Sequence, residues 1–284
     1  MKIEVSHETP IHYLNYSRSY NDYDYALVHL FETHPEYYKF FKESVIMGRN
    51  VLLDNSIFEL GKAFDSDRYD YWIGELNPNY YIVPDVLMDG KATIAAWEEW
   101  ESKYHTKKYS SRPLRIGVAT GKDIKDFGEC YDYMGTHADY VAIGFNYTFY
   151  NDILNLNAGK DPSTFSKEEQ LYYWKHARMG LIDSLIDSGL WAWDKPHHLL
   201  GCSLASEFRY YVDRDIHNIR SCDTSNPIVA AIQGLQYNDD FGLKEKPSIK
   251  LADLIDHKLT NDQDELLKYN VNMFRKILRR EPVI

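Results

Sequence analysis

The sequence of 284 residues has little of what several protein classes require. Its three cysteines, Cys130, Cys202 and Cys222, are far apart and form no CxxC pair, which predicts neither a disulfide framework nor a cysteine-rich zinc site. No apolar run reaches the length of a membrane span, and the N-terminal segment lacks the apolar core of a signal peptide. We therefore expect a cytoplasmic protein with no membrane partner, no metal and no cofactor.

Positive charge is also scarce. The chain has 32 Lys and Arg against 43 Asp and Glu, a net charge of −11, which argues against non-specific coating of nucleic acid because phosphate binding depends on clustered basic residues. A local basic groove stays open, and Lys122, Arg209 and Arg214 are weak candidates for phosphate contacts. Solvated surface charge is the commoner reason for such residues. No GxGxxG motif or P-loop is present, so a nucleotide-phosphate site of either kind has no support.

What the sequence does contain is a regular alternation of strand-like and helix-like segments. Short apolar runs of strand length are separated by amphipathic stretches from Tyr25 to about Ser225. The runs lie at 25–30, 50–56, 80–86, 114–121, 140–145, 197–203 and 219–225. Continuous apolar runs, in contrast to alternating ones, indicate parallel strands that helices cover on both faces.

The length fits one large α/β domain, because a parallel α/β barrel commonly takes about 250 residues. We predict that residues 1–284 form a single (β/α)₈ TIM-barrel domain, with the core at about 25–235 and C-terminal helices at 236–284. The position of the eighth strand is not evident, and the segment 228–234 is interpreted as a helix. Residues 146–166 are interpreted as a polar insertion.

Three of the apolar runs end in a carboxylate. VLLDNS ends at Asp54 and its polar turn, YYIVPD ends at Asp85, and IRSCDTS contains Asp223. In parallel α/β folds the active site is built at the carboxyl ends of the strands. We therefore expect three acids at this edge, where they could act on a cationic or acid/base-labile centre.

Each acid has a chemical and a structural interpretation. Asp54 could be a general base beside Phe58, whose ring could stack on a planar substrate, or it could cap the following helix. Asp85 could accept two N–H donors of a guanine-like base, or it could cap the turn at 89–91. Asp223, which lies among hydroxyl groups, could attack a sugar carbon, or it could form an Asx turn closed by Pro227.

Six segments together resemble a known family. They are LLDNSIFELG, YIVPDVLMDG, RIGVATG, YVAIGF, HLLGCS and SCDTSNP. Their order is similar to that of the motif blocks of the tRNA-guanine transglycosylase superfamily, and most of all to its DNA-acting branch, the DpdA-type 7-deazaguanine DNA transglycosylases of phages and bacteria. The resemblance covers about residues 25–235, and six blocks in order are more specific than any one of them.

The resemblance implies a (β/α)₈ barrel and a glycosyltransferase that replaces guanine in DNA with a 7-deazaguanine base of the preQ0 type. In that family's scheme Asp223 would be the nucleophile that forms a covalent bond to C1′ of the sugar, and Asp54 the general acid/base. Phe58 would stack on the base, and Asp85 would recognise it.

The remaining family positions fall on glycines at strand ends and their neighbours. Thr120-Gly121 stands where the family has Gln-Gly, and Gly144-Phe145 stands where it has a glycine pair that lines the base pocket. Glycines there could let a flat ligand approach the backbone, or could simply form tight turns. The block that reads DSGGF in the family reads DNSIF here, so base selectivity could differ.

The resemblance also implies partners. They are guanine sites in DNA and a free 7-deazaguanine base, in the cytoplasm of a bacterium or a phage-infected cell. Because the net charge is negative, binding of DNA would need either a narrow basic mouth or a protein partner that delivers the DNA. The zinc-binding insertion of the tRNA enzymes is missing, which favours DNA over tRNA and argues against zinc. The alternatives are a tRNA-directed transglycosylase, an N-glycoside hydrolase that uses the same carboxylates, and a non-catalytic binding module.

Overall fold

The computed structural model describes residues 2–104, 109–157, 159–202, 204–238, 242–243 and 249–278. Within these residues eight β-strands are present. They are β1 Glu4–His7, β2 Asp24–Leu27, β3 Val51–Asp54, β4 Tyr80–Ile82, β5 Leu114–Ala119, β6 Tyr140–Ile143, β7 His197–Leu199 and β8 Ile219–Thr224. The strands are short and almost wholly buried, as the continuous apolar runs predict.

Helices separate the strands along the chain. They are α1 Leu14–Ser17, α2 His29–Thr33, α3 Pro35–Ile46, α4 Ile57–Leu60, α5 Ser66–Leu76, α6 Gly90–Tyr104, α7 Ile124–His137, α8 Tyr147–Ile153, α9 Lys167–Asp187, α10 Ala205–Asp213, α11 Asn226–Ile232 and α12 Asn261–Ile277. Three short 3₁₀ helices in the described part add Ile11–Tyr13, Pro162–Thr164 and Leu251–Leu254. The helix predicted at 228–234 is confirmed as α11.

The sheet order defines the fold class. The strands follow the order β1-β8-β7-β6-β5-β4-β3-β2, so that β1 pairs with the last strand, and the pairing is parallel, for example in β1 with β8 and β2 with β3. Eight parallel strands that alternate with helices and run in sequence order around the sheet are those of a (β/α)₈ TIM barrel. The predicted fold class is confirmed.

The eighth strand, which the sequence did not reveal, is β1, and it precedes the first apolar run. Its residues Glu4–His7 read EVSH, too short and too polar to stand out as a strand. The pairing partners Val5 and Cys222 are both fully buried, so β1 gains its strand character from β8 and not from its own composition. The interpretation of 146–166 as a polar insertion missed helix α8.

Contacts divide the described residues into two compact units, and each is described by itself. The first, the Asp54 unit, takes its described residues from Asn21–Gly144 and Asp194–His198. The second, the Asp223 unit, takes them from Met1–Tyr20, Phe145–Trp193 and Leu199–Ile284. The prediction that the whole chain is one barrel domain stays a prediction.

The core of the Asp54 unit forms where helices pack on strands. In α6, Thr93, Trp97, Trp100 and Tyr104 are buried at intervals of three and four residues, which is the spacing of one helix face. Tyr69 of α5 is fully buried, and its hydroxyl lies 2.9 Å from the carbonyl oxygens of both Leu53 and Ile82. The Tyr69 side chain therefore fixes α5 against the last residues of β3 and β4.

The core of the Asp223 unit includes a cluster of buried side chains from α11, α12 and the turn after α1. Its members are Tyr20, Ile228, Ala231, Leu267 and Val271. Full burial of an aliphatic side chain such as Leu267 contributes about 1.5–3 kcal/mol. The C-terminal helix α12, which begins with a capping box at Thr260 and Gln263, is thus an integral part of this core.

Candidate active site

Asp54 is the last residue of β3 and is only 7% exposed. One of its carboxylate oxygens accepts a hydrogen bond from the Tyr25 hydroxyl at 2.6 Å, and the other accepts the backbone N–H of Ser56. Tyr25 in turn stacks on the buried ring of His198, with 6.0 Å between the ring centroids. The carboxylate is therefore held in one orientation by partners on two sides. The N-cap residue of α4 is Ser56, so Asp54 closes the turn before the helix and is not its N-cap.

Asn55 connects the ends of β3 and β4. Its side-chain amide donates to an Asp85 carboxyl oxygen at 2.8 Å and lies 3.3 Å from the Val83 carbonyl oxygen, and its side-chain oxygen accepts the N–H of Ile57 at 3.0 Å. Asn55 is fully buried, and Asp85 is 5% exposed. The amide thus fixes Asp85 next to the loop that carries Asp54.

The environment of Asp85 changes its acidity. Burial raises the pKa of Asp85 from 3.8 to about 7, the N–H of Asn55 works in the opposite direction, and the nearby Asp54 carboxylate raises it further. This carboxyl group therefore gains and loses its proton near neutral pH and not near pH 4. A group in that state can exchange a proton with a ligand without a large free-energy cost.

The loops that follow these two strands carry exposed apolar side chains. Phe58, in the short helix α4, is 60% exposed, and Leu87 and Met88 after Asp85 are 44% and 45% exposed. The backbone of Met88 donates to the Thr120 hydroxyl at 3.1 Å, so Thr120 supports this loop. Thr120 thus has a structural contact in addition to the substrate-binding role predicted for it.

The predicted base-pocket glycines differ in their surroundings. A Cβ atom at Gly121 would lie 2.3 Å from the backbone nitrogen of Phe127, so this glycine is required by the close approach of helix α7. A Cβ atom at Gly144 would meet nothing within 4 Å. Open space beside Gly144 is compatible with a ligand, whereas Gly121 has a sufficient reason in packing alone.

Asp223 lies in β8 of the Asp223 unit and is 5% exposed. Both of its carboxylate oxygens lie 3.1 Å from the backbone nitrogen of Gly201, which donates its N–H to them. Gly201 has a φ angle of +67°, a conformation that glycine adopts without strain. The next residue, Thr224, donates its hydroxyl to the Cys202 carbonyl oxygen at 2.8 Å, so β8 holds the loop after β7 at two points.

Phe145 belongs to the same loop environment. A Cβ atom at Gly201 would be 3.2 Å from the Cβ of Phe145, and the Phe145 ring meets the Tyr147 ring edge-on with 4.2 Å between centroids. The Asp223 unit therefore brings Phe145, Gly201 and Asp223 together. The Asp54 unit brings together Asp54, Asn55 and Asp85.

The basic residues predicted to contact phosphates have acidic neighbours. Arg209 pairs with Asp213 one turn further along α10, at 3.7 Å, and Arg214 pairs with Asp183 at 2.5 Å. Lys122 is exposed, and its backbone N–H donates to Asp126. The two arginines therefore carry nearby counter-charges, which weakens their attraction for a phosphate backbone.

Sequence reasoning missed Tyr25 and Asn55, which support the acids, and it gave Gly201 no role toward Asp223. The letters DNS at 54–56 predict a polar turn after the strand, but they do not show that the Asn55 amide binds Asp85. The links from Asn55 to Asp85 and from Gly201 to Asp223 depend on which strands are neighbours, and no local pattern carries that information.

The described residues lack two further features. No group of three or more His, Cys, Asp and Glu side chains among them is arranged to hold a metal ion. No helix in the described ranges is long and apolar enough to cross a membrane.

Comparison with known proteins adds no relative. No model of a known protein family matches the chain, and no curated protein matches it. The resemblance to the transglycosylase superfamily therefore stays a prediction that depends on the six sequence blocks.

Proposed function

We propose that the protein is a base-exchange transglycosylase that replaces guanine in DNA with a 7-deazaguanine base. The observation that carries the proposal is the buried arrangement of Asp54, Asn55 and Asp85, in which Asp85 has a pKa of about 7. A carboxylate there can accept the two adjacent N–H donors of a guanine-like base. The exposed ring of Phe58 offers a surface on which such a base can stack.

The first half of the reaction breaks the bond between the sugar and guanine. The step begins with Asp54 protonated in the substrate complex. A carboxylate oxygen of Asp223 attacks C1′, the C1′–N9 bond breaks, and its electron pair stays on the guanine, which takes the proton from Asp54. The products are free guanine, a glycosyl ester of Asp223 and an ionised Asp54. Such a covalent intermediate divides one difficult step into two easier ones.

The second half reverses these changes with the new base. The incoming 7-deazaguanine gives its N9 proton to Asp54, N9 attacks C1′, and the electron pair of the C1′–O bond returns to Asp223. Both carboxyl groups end in the protonation states in which they began. Catalytic residues contributed by the carboxyl ends of several strands are usual in (β/α)₈ barrels, and a target base within duplex DNA must first be flipped out of the stack.

Two arguments support DNA as the acceptor. The sequence lacks the cysteine pattern of the zinc-binding insertion found in the tRNA enzymes, and the six blocks are most similar to the DNA-acting branch. The ion pairs of Arg209 and Arg214 favour a protein partner that delivers the DNA over a basic surface built from these residues.

The test is incubation of the purified protein with duplex DNA and 7-cyano-7-deazaguanine, followed by digestion and nucleoside mass spectrometry. Asp223→Ala and Asp54→Asn should abolish incorporation. Asp65→Asn is the matched control, because Asp65 caps α5 and asparagine caps a helix equally well. Incorporation into tRNA instead of DNA would indicate the tRNA-directed alternative. Release of free guanine without exchange would indicate a hydrolase, and no reaction on either nucleic acid would contradict the proposal.

A further inference from the structure

The Asp223 unit contains a buried ion pair to which the proposed reaction gives no role. Arg178 of α9 and Glu207 of α10 have fully buried side chains, and the Arg178 Nε lies 2.6 Å from a Glu207 carboxylate oxygen. The hydroxyls of Tyr147 and Tyr211 also donate to this carboxylate, at 3.0 and 2.8 Å. Because a buried ion pair is weak evidence for stability, such a costly arrangement calls for another explanation.

The guanidinium of Arg178 also holds the loop that follows β7. It donates to the carbonyl oxygen of Leu200 at 2.9 Å and to that of Gly201 at 2.8 Å. The Leu200 carbonyl and the Gly201 N–H are the two ends of one peptide group. That N–H is the donor to both carboxylate oxygens of Asp223.

We propose that Arg178 is a positioning residue that acts on Asp223 through the Leu200–Gly201 peptide group. A cation at the carbonyl end of a peptide group polarises it and makes its N–H a stronger donor, because hydrogen bonds in a chain strengthen one another. Arg178 also keeps this N–H pointed at the carboxylate, and Glu207 supplies the counter-charge that keeps the arginine in place.

The consequence for catalysis rests on the proposed function. When the glycosyl ester breaks in the second half of the reaction, negative charge returns to the Asp223 carboxylate. A fixed and polarised N–H at that position stabilises the developing charge without reorganisation, as donors do in oxyanion holes. Arg178 would therefore increase the rate of ester breakdown without contact to the sugar or the base.

The experiment compares two substitutions of the same kind. Arg178→Lys keeps the charge beside Glu207 but loses the fork that reaches both carbonyl groups. Arg49→Lys is the matched control in the Asp54 unit, since Arg49 likewise contacts both oxygens of one carboxylate, that of Asp24, and a backbone carbonyl, that of Asn21. A second variant, Arg178→Met with Glu207→Gln, removes both charges and leaves an oxygen for the two tyrosine hydroxyls.

Two measurements are made on each variant. The first is the amide proton shift and hydrogen-exchange rate of Gly201 by NMR, which need no catalytic activity. The second is kcat and KM for incorporation of 7-cyano-7-deazaguanine into DNA. For Arg178→Lys and the double variant we expect an upfield amide shift, faster exchange of this amide, and a kcat at least about tenfold lower with little change in KM. Arg49→Lys should leave all of these unchanged.

The outcomes separate this proposal from the proposed function. A Gly201 amide unchanged in both Arg178 variants would overturn the positioning role, whatever the activity. A shifted amide with an unchanged kcat would overturn its catalytic consequence. If the wild type exchanges no base, the proposed function fails, and the amide signal alone still decides whether Arg178 acts on the peptide that holds Asp223.

Discussion

Replacement of Asp85 by asparagine tests the buried carboxyl group on which base recognition depends in the proposed reaction. In the wild type, burial raises the pKa of Asp85 from 3.8 to about 7, the Asn55 N–H opposes this, and the Asp54 carboxylate adds to it. Between these two pH values the unfolded chain has lost the Asp85 proton and the folded protein still holds it. The free energy of unfolding of the wild type therefore falls as pH rises through this window.

The size of the effect follows from the two pKa values. One pKa unit corresponds to about 1.4 kcal/mol, so a pKa raised from 3.8 to about 7 corresponds to about 4 kcal/mol. Asparagine does not titrate, has nearly the same shape, and can still accept the Asn55 N–H. Relative to the wild type, the free energy of unfolding of Asp85→Asn should therefore rise by about 4 kcal/mol between about pH 4 and about pH 8, most of it below pH 7.

The assay is urea unfolding of both proteins at closely spaced pH values across this range. Asp126→Asn serves as a control of opposite sign in the same unit. Burial works against ionisation of Asp126, but the N–H groups of Lys122 and Gly90 outweigh it and hold the pKa below its ordinary value. Asp126→Asn should therefore lose stability relative to the wild type as pH rises toward 3.8, so its urea series is extended below about pH 4, and between about pH 4 and about pH 8 its curve and that of the wild type should stay nearly parallel. Curves for Asp85→Asn and the wild type that stay parallel would refute the reasoning.

Three other predictions follow from contacts in the Asp54 unit. Asn55→Ala leaves Asp85 and the Val83 carbonyl without their amide donor. It should lower the free energy of unfolding by about 1–3 kcal/mol in urea titrations at pH 6. A loss near zero would contradict the bridging role. Gly121→Ala should lower the free energy of unfolding by about 3 kcal/mol or more, because its Cβ would lie 2.3 Å from the Phe127 nitrogen. Gly144→Ala should change it by no more than about 0.5 kcal/mol, since its Cβ would meet nothing within 4 Å. Equal losses in the same assay would show that close packing is not what requires Gly121. Guanine binding at pH 6 should release up to one proton from the wild type and none from Asp85→Asn. Calorimetry in two buffers of different ionisation enthalpy measures this release. Equal proton release by the two proteins would exclude Asp85 as the source.

The sequence was sufficient for the elements that depend on local composition. Seven strands are evident as apolar runs because parallel strands are buried on both faces, and helices such as α5 and α6 show their buried face in their periodicity. Strand β1 could not be found in this way, since the residues EVSH become a strand by pairing with β8.

The same distinction applies to the candidate site. The positions of Asp54, Asp85 and Asp223 at strand ends could be predicted from the runs that precede them. The donors that orient them could not, because Asn55 and Asp85 are 30 residues apart and Gly201 and Asp223 are 22 apart. For the basic residues, Asp213 is visible as a helical neighbour of Arg209, whereas the partner of Arg214 is Asp183, 31 residues earlier in the sequence.

The pairing of β1 with β8 has a consequence for how the chain is made. Glu4 pairs with Ser221 on the neighbouring strand β8. At about 5–20 residues per second, a ribosome needs about 10–40 s to synthesise the residues between them. During that time β1 has no β8 to pair with, and Val5 and the neighbouring Ile3, which are buried in the folded protein, lack that cover. Strand β1 therefore lacks its partner β8 until the chain between them has been synthesised, and its unpaired edge is exposed to association with other chains until β8 has emerged.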